Sequence, residues 1–248
     1  MTSIVPNPVA PAQPQIPVLD PADIPNLDNV VIEDGVPVEN IFAEKQYRLL
    51  TEPLYSSWPG PGEGRPFVAM TNVGYFHTVK EPPLVPDCLL SLDVRPGKDL
   101  SKKENNSYFQ WIFGKQPDVV IEIVSDKRGG EADFKKDMYA RLGVPFYVIF
   151  DPRDLLKGGV LRAWGLMRRR YAAVEPGFFE EIGLGLILWT GAFEHWDRSW
   201  LRWCNQEGRV ILTGAERAEE ANQKASEANQ KAERLAAQLR ALGVNPEV

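Results

Sequence analysis

The chain has 248 residues, 44% hydrophobic and 25% charged, with a formal net charge of -6. That is ordinary globular composition for one sizeable domain plus tails, and it excludes a global electrostatic pull toward nucleic acid, so a nucleic-acid partner would have to meet a local basic patch. Two cysteines without metal-ligand spacing do not suggest zinc, no apolar run approaches the ~20 residues that span a bilayer, and no secretory signal pattern opens the chain, so a cytoplasmic protein with no membrane contact is expected.

Residues 1–27 hold seven prolines and almost no charge. Proline removes donors and blocks the preceding turn, so this arm is extended or disordered rather than helical. A helical pattern begins near Pro37, with Val38, Ile41, Phe42, Leu49 and Leu50 as its apolar positions, and is expected to stop before Pro53. Strand-like segments follow at 67–79, 86–94, 117–125 and 145–151. A helix over 131–142 separates the last two. Strand, helix, strand with apolar strands on both sides predicts a crossover and a parallel pair in a buried mixed sheet. VLRAWGLMRRRYAAVEP then reads as a hairpin, with further short strands to about 212.

From Ala218 to Leu242 apolar residues alternate at spacings of three and four without a break: Ala218, Ala221, Ala225, Ala228, Ala232, Leu235, Leu239 and Leu242. That is a heptad seam. Its alanines leave two partners open, the helix's own domain or a second copy in a homodimer. Thr213 followed by Glu216 is a capping-box signature for its start.

Two carboxylates stand out. Asp87 follows Pro86 at the head of one apolar strand, and Glu122 is the only charge after Asp118 in DVVIEIV. A charge in such a strand costs several kcal/mol, by order of magnitude, unless a cation, hydrogen bonds or an exposed edge offset it. On the following helix, Phe134, Met138 and Leu142 mark the apolar stripe at 100° per residue. Lys135 falls beside that stripe, with Tyr139 flanking it, and Lys136 points the other way. Lys135 therefore faces the sheet, where Glu131 at i−4 is one partner and a strand carboxylate another. Two carboxylates on adjacent strands suit a hard cation such as Mg²⁺ or Mn²⁺, and a nearby lysine can position a water.

The block VPD (85–87), PDVVIEIVS, E-x-x-x-K-x-x-x-Y (131–139) and GVPFYVIFDP (143–152) resembles the Uma2 family, restriction-type endonucleases of the PD-(D/E)XK superfamily. The resemblance runs from about Pro37 to Trp203 and is strongest over 117–152; the heptad tail is similar to that of cyanobacterial-type members. It implies a restriction-endonuclease-like mixed sheet flanked by helices over 28–212, followed by a heptad-patterned C-terminal helix or coiled coil over 213–248. It also implies divalent-metal-dependent hydrolysis of DNA phosphodiester bonds. Carried over residue by residue, Asp87 and Glu122 are the acidic metal ligands. Glu39 is a helix glutamate that joins the metal, and Lys135 is the lysine carried on the helix four residues before the tyrosine. The chain departs from the superfamily at Val124, where the usual lysine is absent, and at SDKRGG (125–130), where Lys127 competes for the lysine role. The alternative is a catalytically inactive scaffold that acts as an interaction protein through its last helix. His77 and His195 lie far apart and lack a nucleophile motif. Five of the seven tryptophans fall between 164 and 203 and read as core or as base-stacking surface. The RRR of 168–170 and Arg162 read as a small basic patch, either a phosphate contact or a solvated hairpin tip.

Overall fold

A computed structural model of the chain describes residues 40–62, 64–125 and 130–242. The proline-rich arm, Glu39 and Lys127 lie outside them. The Asn40 side chain accepts from the Ala43 N–H at 2.9 Å and opens the first helix, α1 (Ile41–Ser56). A short polar side chain favours this N-cap position. Ala43, Gln46, Leu49, Leu50, Pro53 and Leu54 form the buried face of α1. The expected stop before Pro53 does not occur. Proline sits in the final turn, where the Ser57 and Trp58 N–H groups both return to its carbonyl. Buried Leu50 and Leu54 hold that turn against the core.

Eleven strands follow among the described residues. The main sheet uses six of them: β1 (Phe67–Thr71), β3 (Cys88–Leu92), β5 (Val119–Ile123), β6 (Phe146–Phe150), β7 (Leu161–Met167) and β8 (Arg170–Val174), in the order β1-β3-β5-β6-β7-β8. β5 and β6 are parallel, as the strand-helix-strand pattern predicts, and the other neighbours are antiparallel. The run 67–79 is not one strand. Asn72 turns left-handed (φ 52°), and β2 (Tyr75–Phe76) departs to pair with β4 (Tyr108–Phe109), just before the short helix α2 (Gln110–Phe113). A second sheet holds β9 (Phe178–Phe179), β10 (Leu184–Phe193) and β11 (Trp196–Cys204). Arg168 and Arg169, both at positive φ, make the tight turn between β7 and β8. Two consecutive left-handed residues match the right-handed twist of a hairpin.

Alternation along β5 builds two cores. Val119, Ile121 and Ile123 pack with α1 and with Leu184, Leu186, Leu201 and Trp203 of the second sheet. Val120 and Val124 pack on the opposite face with Tyr139, Tyr147 and Ile149. Gln46 ties α1 to β11 by a two-way bond, donating to the Leu201 carbonyl at 2.7 Å and accepting from its N–H at 3.0 Å. Trp200 and Trp203 are core residues, whereas Trp111 and Trp196 are exposed.

The helix expected over 131–142 has two parts. Glu131–Lys135 is a π-turn in which the Lys135 N–H reaches back five residues to the Gly130 carbonyl at 3.0 Å. α3 (Lys136–Leu142) continues from it. The wider turn changes the phase between the two parts, which a uniform 100° wheel does not contain. Phe134, placed on the apolar stripe by that wheel, is 65% exposed, while Tyr139 is fully buried. Gly143 (φ 84°) ends α3, and the Val144 N–H closes onto the Tyr139 carbonyl at 3.1 Å, the left-handed stop that glycine permits.

Thr213 and Glu216 form the expected capping box of α4 (Gly214–Ala241). At its base Glu216 meets Arg202 of β11. No residue of α4 is buried, and Leu235, Leu239 and Leu242 of the seam are exposed.

Candidate functional site

Asp87 stands immediately before β3. Cys88 opposes Ile121 in the antiparallel register, so Asp87 is carried next to Glu122. Their carboxyl groups lie within hydrogen-bonding reach of one another. Glu122 is fully buried. The Lys135 Nζ donates to Glu122 Oε2 at 2.7 Å, and the Tyr139 hydroxyl donates to Oε1 at 3.2 Å. Asp87 Oδ1 accepts from the Tyr47 hydroxyl at 2.7 Å, and Oδ2 from the Ile123 N–H at 2.6 Å. Four elements thus converge on one acidic pair: α1 through Tyr47, the sheet through both carboxylates, the π-turn through Lys135 and α3 through Tyr139.

Burial raises the Asp87 carboxyl above the ordinary aspartate range, outweighing the lowering by the Ile123 N–H, Tyr47, Lys135 and Glu122. Burial also pushes the Tyr139 phenol well up, and the negative Glu122 adds to it, which keeps Tyr139 a donor.

The structure brings Asp87, Glu122 and Lys135 together and packs Val124 into the core beside Tyr139. Glu39 and Lys127 lie outside the described residues, as does the side chain of Glu131, the other partner considered for Lys135. Lys136 is not simply solvated: its Nζ lies 5.0 Å from the centre of the Trp164 ring. The second Pro-Asp, at 117–118, is structural. Asp118 accepts from the Leu92 N–H at 2.8 Å and pairs with Lys115 at 2.6 Å. His77 faces Glu81 at 2.9 Å, and His195 sits in the turn between β10 and β11, so neither joins the acidic pair.

Sequence reasoning missed Tyr47. Its position carried a signal: four residues after Ala43 and three before Leu50, it flanks the buried stripe of α1, and a partly buried tyrosine hydroxyl favours a partner.

Among the described residues no third histidine, cysteine or carboxylate joins Asp87 and Glu122. Two carboxylates nevertheless fit a magnesium-type ion, which keeps several waters and takes only one or two protein carboxylates. The Tyr47 hydroxyl and the Ile123 N–H orient the Asp87 oxygens, and Lys135 and Tyr139 orient those of Glu122.

A mixed sheet flanked by helices, with a buried acidic pair beside its central strands, gives the chain a nuclease-like α/β architecture. Residues 29–156 match the model of the Uma2 family, described as "Putative restriction endonuclease", and the chain belongs to that family. A solved structure, titled as a "putative nuclease belonging to DUF820" from Anabaena variabilis ATCC 29413, is similar at 16% identity with a TM-score of 0.38, over 57% of this chain and 71% of that one. No curated protein matches the chain. No described helix is long and apolar enough to cross a membrane.

Proposed function

We propose that the protein is an endonuclease that hydrolyses DNA phosphodiester bonds with the help of Mg²⁺ or Mn²⁺. The observation that carries the reading is the placement of Lys135 at 2.7 Å from Glu122, in an acidic pair completed by Asp87. Asp87 and Glu122 would hold the ion; Glu39, the further ligand that the family resemblance implies, lies outside the described residues. A bound divalent ion would polarise the phosphodiester and lower the pKa of a coordinated water. Tyr47 and the Ile123 N–H orient the Asp87 carboxylate. Lys135 leaves Glu122 to position the attacking water and to offset charge that develops on the phosphoryl oxygens. Tyr139 keeps Glu122 in place while Lys135 moves. Buried, unpaired Cys88 and Cys204 suit a reducing cytoplasm. The catalytic domain in this reading spans 28–212, between the arm and the C-terminal helix.

The test is cleavage. Purified protein is incubated with supercoiled plasmid and with single- and double-stranded oligonucleotides, with Mg²⁺ or Mn²⁺. Wild type cuts at least one of these, and Lys135→Ala loses most of that rate. If wild type cuts none, or Lys135→Ala cuts as fast, the reading fails.

Tyr47→Phe removes one donor that orients Asp87 and leaves the ring in place. Orienting partners of this kind change metal affinity by roughly 10–100-fold. The variant should need about tenfold more Mg²⁺ or Mn²⁺ for half-maximal thermal stabilisation, with an unchanged metal-free melting temperature. A matched metal response in both proteins would remove Tyr47 from the site.

One observation favours the rival scaffold reading: the apolar seam of α4 is exposed along its length. That reading expects a homodimer through α4 and no cleavage. Light scattering on the full chain and on a version ending before Thr213 separates the two contributions.

A further inference from the structure

Among the described residues β7 carries a cation with no acceptor, Arg162, and it lies beyond the residues that match the family. Arg162 opposes Ile149 on β6, and Ile149 opposes Glu122 on β5. Directly paired residues project from the same face. Arg162 and Glu122 therefore share a face, two strand spacings apart, or roughly 10 Å. The Arg162 Nε and Nη2 are buried without a hydrogen-bond partner, and no ion pair holds the side chain among the described residues. Its guanidinium lies between two surfaces. On one, the Trp164 ring centre is 5.7 Å from Cζ. On the other is Gly158, where a Cβ would come within 2.4 Å of Nη1. The Trp164 ring also takes the Lys136 Nζ, so two cations share one aromatic side chain beside the acidic pair.

Burying charged donors without an acceptor is unfavourable, and a cation–π contact recovers only part of the loss. An anion would recover the rest. A planar guanidinium matches phosphate with two parallel hydrogen bonds. No hydrogen bond ties Arg162 down, so it can turn out of its slot toward an arriving phosphate without breaking one.

We propose that Arg162, stored against Trp164 and Gly158, binds a DNA phosphate next to the one cleaved and, with Lys136, fixes the strand across Asp87 and Glu122. This rests on the nuclease reading above. It makes Arg162 a substrate-positioning residue. The Arg168–Arg170 tip is a poor candidate for the same role: it closes the opposite end of β7, six or more residues away, which is roughly 20 Å.

The experiment uses the full chain carrying Glu122→Gln, which should bind without cutting, and fluorescence anisotropy with a labelled DNA duplex at salt from about 50 to 200 mM. Adding Arg162→Gln should weaken binding about tenfold at the lowest salt and reduce the slope of log K against log salt by about 1. Arg162→Lys should keep the slope and lose part of the affinity. Arg168→Gln, an equal change of charge at the hairpin tip, should leave the slope within error. Melting temperatures are read alongside, and if Arg162→Gln unfolds, the Lys variant carries the test. An Arg162→Gln protein that is folded and matches its parent in affinity and slope overturns the proposal, as does a Lys variant with undiminished affinity. If that happens while wild type still cleaves DNA, the nuclease reading stands. Absence of both binding and cleavage sinks the two together.

Discussion

Glu122→Gln should abolish measurable cleavage while leaving the fold intact. Removing one preorganised electrostatic contact to a reacting group typically costs 10²–10³ in rate, about 2.7–4 kcal/mol, and Glu122 would both bind metal and hold Lys135. Stability should change far less than activity. Glutamine keeps the shape and an acceptor for Lys135 and the Tyr139 hydroxyl, and reduces the ion pair with Lys135 to a neutral hydrogen bond. The metal-free melting temperature should therefore fall only modestly, and the stabilisation by millimolar Mg²⁺ or Mn²⁺ expected of wild type should vanish. Single-turnover cleavage of plasmid and thermal unfolding with and without metal measure both effects. A variant that cuts at the wild-type rate removes Glu122 from the chemistry. A variant that collapses on its own marks Glu122 as structural.

Glu216→Ala should destabilise the protein by about 3 kcal/mol, the low end for breaking a buried ion pair by deleting one partner. Arg202 is 1% exposed, and its Nη1 and Nη2 reach the two Glu216 oxygens at 2.7 and 2.6 Å. Without Glu216 the guanidinium keeps the Ile211 carbonyl and the Trp189 ring, which do not neutralise it. The Thr213 N–H also loses its acceptor. The cost is at the low end because the carboxylate is one-third open to solvent. Its pH dependence has a definite sign. Partial burial raises the Glu216 carboxyl, but Arg202 and Thr213 outweigh burial and hold it below the ordinary 4.5. A depressed carboxyl stabilises the fold above its unfolded-state value and loses that contribution as pH falls through the folded-state value. The gap between wild type and Glu216→Ala should be full at neutral pH and shrink on acidification below about 4.5. Urea unfolding across that range measures it, and a gap that widens in acid would contradict the assignment.

Much of this is legible in the sequence alone. The parallel pairing of β5 and β6 follows from two apolar runs separated by a helix-length segment, because a parallel connection needs a crossover. Helical geometry turns Lys135 toward the sheet, and the structure sets it against Glu122, whereas Lys136, expected in solvent, packs on Trp164. The same wheel misplaced Phe134, because hydrophobic spacing reports an average period and a single π-turn alters the phase within it. Local backbone chemistry makes Pro53 a stop, whereas burial of Leu50 and Leu54 decides that the last turn survives. Asp87 and Asp118 follow identical Pro-Asp dipeptides, and only the register of β3 and β5 separates the one beside Glu122 from the one paired with Lys115. The sequence shows Arg162 only as part of a basic patch with 168–170. Its alignment with Glu122 passes through Ile149 and needs two strand registers that no local pattern contains.

The π-turn at 131–135 also bears on how such chains are compared. A column-by-column alignment treats the chemistry of a position as a property of the letter found there. By that standard Val124 records a deletion of function. In three dimensions the cation reaches Glu122 from another direction, through a turn whose one surplus residue sets the angle of approach. Substitution tables would therefore score Lys135→Arg as mild and the loss of one residue from 131–134 as a tolerable loop change. Geometry ranks them in reverse: the substitution keeps a cation near Glu122, while the deletion keeps every side chain that matters and swings the lysine away.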